Sequence, residues 1–293
     1  MVGLGRLSQI DARLRQAKPE AADTPFGGVT ILLAGDLRQL QPVGDLPLYS
    51  KKGGHPFQER GRLLYRLFDD LTYQLYQQMR QQGAENEEFK QQLERLATGN
   101  FSIDDWKRWS KHDMSQLSEN DRNLFVHQAT MLCAMKKDMA EFNLYHLKRT
   151  GNPIARLNAE NSKGATAFST DLAQGLNNRI YLSRGAKIVL TSNLWTEAKL
   201  VNGSQGTVEF LVFKEGKHPS THLPDLVICK FPDYCGPSFV DNKDKMVPLI
   251  PQTATWFDKG GQYSRTQFPL ILSWALTIHK SQGLCKPRTC FKK

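Results

Sequence analysis

A largely apolar run at positions 29–34, Val-Thr-Ile-Leu-Leu-Ala, narrows the possible folds of this chain more than any other feature. It follows Gly27 and Gly28 and is succeeded directly by Gly35 and Asp36. Apolar runs of this length predict a fully buried strand of a parallel sheet, because such strands have helices packed on both faces. Ligands of open α/β sheets bind beyond the carboxyl ends of the strands, so Asp36 is expected at a functional edge.

Further along the chain, strands and helices are predicted to alternate. Residues 129–134 predict a second buried strand, and a helix is expected from about residue 138 to residue 149. Ser102 and Asp105 have the spacing of a capping box, which predicts the start of another helix. A helix near the N-terminus is indicated by apolar residues at helical spacing, namely Leu4, Leu7, Ile10 and Leu14. The pattern is that of an α/β protein with a second α/β domain.

After residue 200 the predicted strands become short and closely spaced. The turns between them contain Gly, Pro or Asn, as at Asn202-Gly203. Short strands at this spacing predict a small β-barrel inserted into the second α/β domain. The predicted strands cover residues 207–213, 225–231, 246–250 and 252–257.

The charge of the chain favours a polyanionic partner without proving one. There are 39 basic and 29 acidic residues, a net charge of +10, and residues 151–293 carry 18 of the basic and 10 of the acidic ones. A concentrated positive field attracts polyanions such as nucleic acid. Many basic proteins bind no nucleic acid, so charge alone leaves both interpretations open.

Hydropathy and cysteine content narrow the class of protein further. No run approaches the roughly 18 apolar residues that a membrane span needs. The first six residues lack the apolar segment of a secretory signal, so secretion is not expected. Five cysteines without CxxC or Cys/His spacing predict free thiols in a reducing compartment rather than disulfides or a zinc site.

Residues 35–43, Gly-Asp-Leu-Arg-Gln-Leu-Gln-Pro-Val, follow the first predicted strand directly. An amide such as that of Gln39 at the tip of a strand can donate to a phosphate and accept from a water molecule, which suits the sensing of a nucleotide. Alternatively, Asp36 only caps the next turn and the segment is an ordinary strand exit. Without further context the ordinary exit is favoured.

Residues 274–283, Trp-Ala-Leu-Thr-Ile-His-Lys-Ser-Gln-Gly, place hydroxyl, imidazole, ammonium and amide groups after another predicted strand. If a helix begins here, these groups and the backbone N–H groups of its positive end point to one place, where a phosphate would be favoured. The alternative is that Ser281 is only an N-cap and His279 a surface histidine. The density of donors favours the phosphate site.

A third motif, residues 185–194, reads Gly-Ala-Lys-Ile-Val-Leu-Thr-Ser-Asn-Leu and precedes the Asn202-Gly203 turn and Gly206. Considered alone, it predicts only a strand and a hairpin.

Taken in order, the three motifs resemble those of superfamily-one DNA helicases of the Pif-one type, including the helicases of helitron transposons. That family has a Gly-Asp-x-x-Gln-Leu-x-Pro-Val strand end, a Met-Arg-Gln segment, a Thr-x-Asn-Leu strand with an Asn-Gly-x-x-Gly turn, and Trp-Ala-x-Thr-Ile-His-Lys-Ser-Gln-Gly. Every one of these patterns is present, with residues 79–81 as the second. The resemblance extends from Met1 to about Gly283 and is weakest at residues 100–125 and 214–262.

The resemblance implies an ATP-dependent DNA helicase, which couples ATP hydrolysis to translocation on a single strand and to duplex unwinding in DNA repair, recombination and telomere maintenance. Asp36 and Gln39 would couple the γ-phosphate of ATP and its attacking water to the DNA. Arg80 would reach the transferring phosphoryl group from between the domains. Gln282 and Gly283 would also contact the nucleotide. The residues implied to contact the single strand are Thr191, Asn193, Thr277, His279, Lys280 and Ser281.

The resemblance also implies a fold of two RecA-like domains, each incomplete. Residues 1–75 would form the C-terminal part of the first domain, and residues 76–200 with 268–293 the second. Residues 201–267 would be an inserted SH3-like β-barrel that guides the strand. The implied cofactors are ATP and Mg2+, and the implied partners are single-stranded DNA and duplex junctions, with no membrane. A monomer is expected, located in the nucleus or mitochondrion of a eukaryote and otherwise in the cytoplasm.

Several elements of the family pattern are absent from the sequence. No G-x-x-x-x-G-K-[ST] P-loop occurs, since the one Gly-Lys pair, Gly216-Lys217, is followed by His218. The Asp-Glu pair that binds magnesium is absent, and the last motif with its second arginine is not found after Gly283. These departures predict the central piece of a helicase, inactive on its own. The alternative hypotheses are a non-catalytic module that binds single-stranded nucleic acid and, less favoured, a generic α/β nucleotide-binding protein.

Overall fold

A computed structural model of the chain describes residues 2–77, 83–113, 115–217, 221–239, 245–258, 260–282 and 289–291. The chain divides into two compact units, Met1–Gln116 and Leu117–Lys293. None of the helices within the described ranges is long and apolar enough to cross a membrane.

The first unit is built from helices. They are α1 (Leu4–Ala17), α2 (Pro56–Arg66), α3 (Glu87–Thr98) and α4 (Ile103–Ser110), with short 3-10 helices at Pro19–Ala21, Pro25–Gly28, Asp69–Leu71 and Ala84–Asn86. The predicted N-terminal helix is confirmed as α1. The capping box is also confirmed, since Ser102 Oγ accepts from the Asp105 N–H at 3.1 Å and the Asp105 carboxylate accepts from the Ser102 N–H at 3.1 Å.

A carboxylate ties the beginning of α1 to the loop before α2. Asp45 accepts hydrogen bonds from the N–H groups of Gly5 and Arg6 at 3.0 Å each, and from Gln58 Nε2 at 3.0 Å. Burial raises the pKa of Asp45, but these hydrogen bonds outweigh it and hold the pKa below its ordinary value. The first N–H groups of a helix have no partner within the helix, and Asp45 supplies one.

The strand predicted at residues 29–34 is not formed, and that prediction is wrong. The segment lies in neither a helix nor a strand, and it has no strand partner among the described residues of this unit. Ile31 and Leu33 pack against the cluster of Leu7, Phe26 and Leu64, whereas the side chain of Leu32 is 91% exposed. A strand requires a hydrogen-bonded neighbour, and here α1 and α2 cover only one face of the run.

The second unit contains α5 (Glu119–Gln128), α6 (Lys136–Lys148) and α7 (Ile278–Ser281), with a 3-10 turn at Ala165–Ala167. Its strands are β1 (Thr130–Cys133), β2 (Ala155–Asn158), β3 (Glu160–Asn161), β4 (Arg179–Leu182), β5 (Lys187–Leu190), β6 (Gln205–Val212), β7 (Leu226–Lys230), β8 (Met246–Leu249), β9 (Gln252–Asp258), β10 (Gly261–Gln267), β11 (Leu270–Leu272), β12 (Ala275–Thr277) and β13 (Thr289–Phe291).

A parallel sheet in the order β12–β1–β13 forms the α/β part of this unit. Helix α6 is locked onto it by Asn143, whose buried side chain both donates to Ala275 O at 2.9 Å and accepts from the Ala275 N–H at 2.8 Å. The predicted strand at 129–134 and the helix after it are confirmed. This arrangement places the residues that follow Thr277 at the carboxyl edge of the sheet.

The rest of the second unit is antiparallel. One sheet has the order β11–β5–β6–β7–β8, another has the order β3–β10–β9, and β2 pairs with β4. The four strands predicted after residue 200 are confirmed as β6, β7, β8 and β9. Closure of residues 201–267 into an SH3-like barrel stays a prediction, as do the proposed domain boundaries.

Arg265 on β10 is fully buried, which sequence reasoning did not anticipate. Its guanidinium donates to Asn161 Oδ1 at 2.9 Å and to the backbone oxygens of Ala165, Phe168 and Leu176 at 2.8, 3.1 and 3.0 Å. It also lies over the ring of Trp256, with 5.7 Å between Cζ and the ring centroid. Arg265 therefore fastens residues 161–176 to the β9–β10 hairpin.

Candidate nucleic-acid interface

The motif at residues 274–283 forms a short turn of helix at the end of a strand. Strand β12 ends at Thr277, and α7 spans the next four residues. Thr277 Oγ1 accepts from the Lys280 N–H at 3.3 Å, and Ser281 Oγ donates to Ile278 O at 2.8 Å. Both hydroxyls therefore make hydrogen bonds within the turn, and the hydroxyl of Thr277 occupies the N–H group of Lys280. The imidazole of His279 is exposed, and the side chain of Lys280 is half-buried.

The ammonium of Lys280 is held by an uncharged partner. Its Nζ donates to Asn202 Oδ1 at 3.2 Å, although the two residues are 78 positions apart in the chain. Burial lowers the pKa of Lys280 below its ordinary value, and the negative charge of Asp171 partly opposes this shift. Because an amide oxygen does not neutralise the ammonium, Lys280 keeps a net charge that a phosphate can use.

Asn202 also contacts the motif at residues 185–194, which contains the predicted DNA contact Asn193. Asn193 Oδ1 accepts from the Asn202 N–H at 2.8 Å. The chain between them is a hairpin, closed by hydrogen bonds of 3.0 and 2.9 Å between the backbones of Trp195 and Leu200. We call Thr277, Lys280, Asn202 and Asn193 the Lys280 network. Asn202 is the member that was not among the predicted site residues, and its Asn-Gly turn was the available signal.

Thr191, unlike the other residues predicted to contact the single DNA strand, lies in the interior. It is buried, its N–H donates to Pro269 O at 2.9 Å, and its Oγ1 has no hydrogen-bond partner within the described ranges. The loop at Gly175 packs close to it, since a Cβ placed on Gly175 would lie 3.6 Å from Thr191 Oγ1. The role of Thr191 in contacting single-stranded DNA stays a prediction.

In the first unit, Asp36 and Gln39 form a turn with each other. The Gln39 N–H donates to Asp36 O at 3.1 Å, and Gln39 Nε2 lies 3.4 Å from Asp36 Oδ2. Asp36 Oδ1 accepts from the Arg38 N–H at 2.9 Å, so Asp36 caps this turn, as the alternative interpretation predicts. Both side chains are exposed, and their roles toward a nucleotide stay predictions.

Helix α3 contacts this turn through an ion pair between Arg38 and Glu94. Arg38 donates from both Nη atoms to the carboxylate of Glu94, at 2.9 and 3.3 Å. An open groove of about 510 Å³ lies along α3, lined by Glu94 and by Tyr76 and Gln77, among others. Exposed ion pairs contribute little to stability, so this pair bridges the loop and α3 without adding much to the free energy of unfolding.

The remaining predicted site residues are at or beyond the limits of the described chain. Arg80 and Gly283 lie outside the described residues. Gln282 is exposed after α7, and its N–H donates to His279 O at 3.4 Å. In the ranges that the structure covers, no three His, Cys, Asp or Glu side chains lie together so that they could hold a metal ion. With no P-loop in the sequence, these residues do not fit a magnesium–nucleotide cradle.

No protein-family model matches the chain, but curated proteins and solved structures do. The ATP-dependent DNA helicase PIF1 of Xenopus laevis is 31% identical over 263 residues, which cover 89% of this chain and 36% of the relative. The human ATP-dependent DNA helicase PIF1 is 29% identical over 290 residues, covering 97% of this chain and 39% of the relative. The chain is a relative of the Pif1 helicases. It spans just over a third of the length of these two proteins.

Solved structures give the same result for the fold. The crystal structure of the Pif1 helicase from Candida albicans is similar over 97% of this chain and 64% of its own, with a TM-score of 0.61 at 23% identity. A structure of Pif1 helicases at forked double-stranded DNA is similar over 99% of this chain and 60% of its own, with a TM-score of 0.59 at 21% identity. The predicted α/β fold with RecA-like domains is thereby confirmed.

Proposed function

We propose that this chain belongs to an ATP-dependent DNA helicase of the Pif1 type, in which the Lys280 network holds the backbone of a single DNA strand. The observation that carries the proposal is the network itself. Asn193 comes from one family motif, Lys280 and Thr277 come from another, and hydrogen bonds through Asn202 join them. Residues of two separate motifs thus surround one cation, the ammonium of Lys280. A cation attracts a charged phosphate more strongly than an uncharged base.

The physical properties of the network suit a moving strand. Lys280 is half-buried, and an electrostatic contact strengthens when water is partly excluded. The amide oxygens of Asn193 and Asn202 already accept hydrogen bonds within the network, so neither asparagine is set to read a base with its whole amide. Contact with the DNA backbone carries no sequence information. A helicase must pass over any sequence, so this is the contact that it requires.

Relatives of known structure support the partners in this proposal. Bacteroides Pif1 has been crystallised with single-stranded DNA, and also with ADP-AlF3 and single-stranded DNA, and these structures resemble this chain with TM-scores of 0.55 and 0.57. We propose single-stranded DNA and duplex junctions as the partners of this helicase, and ATP and Mg2+ as its cofactors. A monomer, and a nuclear or mitochondrial location in a eukaryote, belong to the same proposal.

Replacing Lys280 by alanine is expected to weaken the binding of single-stranded DNA several-fold at low salt. Losing one phosphate contact should also make the plot of log affinity against log salt shallower by about 0.7. The preference between oligonucleotides of different sequence should not change. Fluorescence anisotropy with labelled oligonucleotides over a range of salt concentrations measures all three quantities.

The matched control is Lys137→Ala, which removes the same charge from an exposed position near the start of α6. It should leave the salt dependence almost unchanged. If Lys280→Ala binds single-stranded DNA as tightly as the unaltered chain at low salt, the Lys280 network does not hold the strand.

ATP hydrolysis by this chain alone is expected to be absent, with or without single-stranded DNA. The sequence contains no P-loop whose amides and lysine would hold the phosphates, and the described residues supply no metal cluster. A phosphate-release assay with increasing single-stranded DNA measures this directly. Steady hydrolysis that DNA stimulates would overturn the expectation.

A further inference from the structure

Beside the Lys280 network lies a row of aromatic rings that no predicted role uses. Trp195 follows Asn193 by two residues and is 39% exposed. Its ring centroid lies 6.4 Å from that of Tyr234, which in turn lies 6.3 Å from that of Phe239, a side chain that is 50% exposed. We call Trp195, Tyr234 and Phe239 the aromatic surface.

Hydrogen bonds hold the aromatic surface in place. The backbone hydrogen bonds between Trp195 and Leu200 close the hairpin that carries the indole. The Cys235 N–H donates to Ala198 O at 3.3 Å, which fastens the segment bearing Tyr234 to the same hairpin. Tyr234 is buried, and its hydroxyl donates to Pro237 O at 2.9 Å. The two exposed rings therefore stand on a fixed base, and little conformational entropy is lost when a ligand stacks on them.

We propose that the aromatic surface stacks the bases of the single strand whose backbone the Lys280 network holds. The inference rests on the proposed function and adds a base-binding site to it. The hairpin is continuous with the network, because its two ends are Asn193 and Asn202. Glu197 and Lys199 near its tip add no net charge between them, and Trp195 is the exposed ring that the hairpin carries.

Stacking of bases suits a strand of any sequence. Every base has a π-face, and aromatic platforms bind single strands with little sequence preference. An exposed apolar surface of this kind could also receive a protein, but a protein would not require the backbone contact a few residues away. The experiment below distinguishes these occupants.

The test compares two strands of equal length, one an ordinary oligonucleotide and the other built only of abasic sugar–phosphate units. Trp195→Ala should bind the ordinary strand about five-fold or more weakly than the unaltered chain, which is the size of one stacking contact. It should bind the abasic strand with unchanged affinity. Lys280→Ala should weaken the binding of both strands, because both have phosphates.

Two variants guard against a structural explanation. Trp195→Phe keeps a π-face and should retain most of the affinity for the ordinary strand. Phe257→Ala removes a ring that is 78% exposed on β9 in the same unit, and it should change neither affinity. If Trp195→Ala does not fold, Phe239→Ala replaces it, since that ring is half exposed.

Each outcome separates the inference from the proposed function. If the unaltered chain binds neither strand, the proposed function fails. If Lys280→Ala weakens binding while Trp195→Ala and Phe239→Ala match the unaltered chain, the aromatic surface does not stack bases. Equal weakening of both strands by Trp195→Ala would also overturn the inference, because the substitution would then act on the contact with the DNA backbone and not on the bases.

Discussion

Replacing Gly61 by alanine is expected to lower the free energy of unfolding of the first unit by about 2 kcal/mol or more. A glycine-to-alanine change within a helix usually raises the free energy of unfolding by about 1 kcal/mol, so the change expected here has the opposite sign. Gly61 is buried in α2 where that helix crosses the beginning of α1. A Cβ there would overlap the carbonyl group of Leu4, lying 2.6 Å from its carbon and 3.1 Å from its Cα. The obstructing atoms are backbone, so no side-chain rotation relieves the overlap.

Hydrogen–deuterium exchange measures this effect where it occurs. Faster exchange is expected in peptides from α1 and α2, with little change in the second unit. Gly53→Ala is the matched control, because a Cβ on Gly53 meets nothing within 4 Å and its φ is not positive. A Gly61→Ala variant that is as stable as the unaltered chain would show that the two helices separate more easily than this contact implies.

Replacing Arg265 by methionine is expected to destabilise the second unit by about 3 kcal/mol or more. Methionine has a similar length and no donors, so the carbonyl groups of Ala165, Phe168 and Leu176 each lose a hydrogen bond in the interior. A buried acceptor without a partner costs roughly 1–3 kcal/mol. Ala165 O keeps a hydrogen bond from the Phe168 N–H at 3.3 Å, so this cost falls on the oxygens of Phe168 and Leu176. Arg265→Lys should be intermediate, because a single ammonium cannot reach all of these oxygens at once.

Urea denaturation gives the free energy of unfolding for both variants, and exchange of residues 161–176 gives the local effect. The matched control is Arg179→Met on β4, where the arginine is exposed and its Nε makes a single hydrogen bond to Asn158 Oδ1 at 3.0 Å. That change should remain within about 0.5 kcal/mol. Equal destabilisation by the two substitutions would show that the buried network around Arg265 is not the cause.

Features that depend on neighbours in sequence were predictable. The helix α1 was evident from the spacing of Leu4, Leu7, Ile10 and Leu14, and the start of α4 from the capping box at Ser102 and Asp105. The strands after residue 200 were evident from short apolar segments between turns. In the two helices the interactions that form the element lie within a few residues of one another. In the strands only the apolar segments and the turns between them are local, because the partner strands lie further along the chain.

The run at residues 29–34 shows the limit of such patterns. Its composition is that of a buried strand, yet a strand exists only where another strand offers hydrogen bonds. In the described part of the first unit no such strand is present, and Leu32 faces solvent. The apolar pattern indicates which side chains would gain from burial. Whether they are buried depends on the elements that pack against the run.

The same division applies to the candidate interface. The motifs named Thr277, Lys280 and Asn193 individually and included the Asn202-Gly203 turn, but spacing along the chain does not show that Asn202 accepts from the ammonium of Lys280, 78 positions away. The proximity of Trp195, Tyr234 and Phe239 was equally hidden, since their segments meet only after the hairpin closes.

By itself, the sequence determined the kinship with Pif1 helicases, the types of the local elements and the chemical groups available at each motif. These properties depend on residue identity and spacing along the chain. The tertiary structure alone decided that Arg265 is buried and joins separate segments, that residues 29–34 have no strand partner among the described residues of their unit, and that Lys280 meets Asn202. Each of these depends on contacts between segments far apart in sequence, which form only when the whole unit packs.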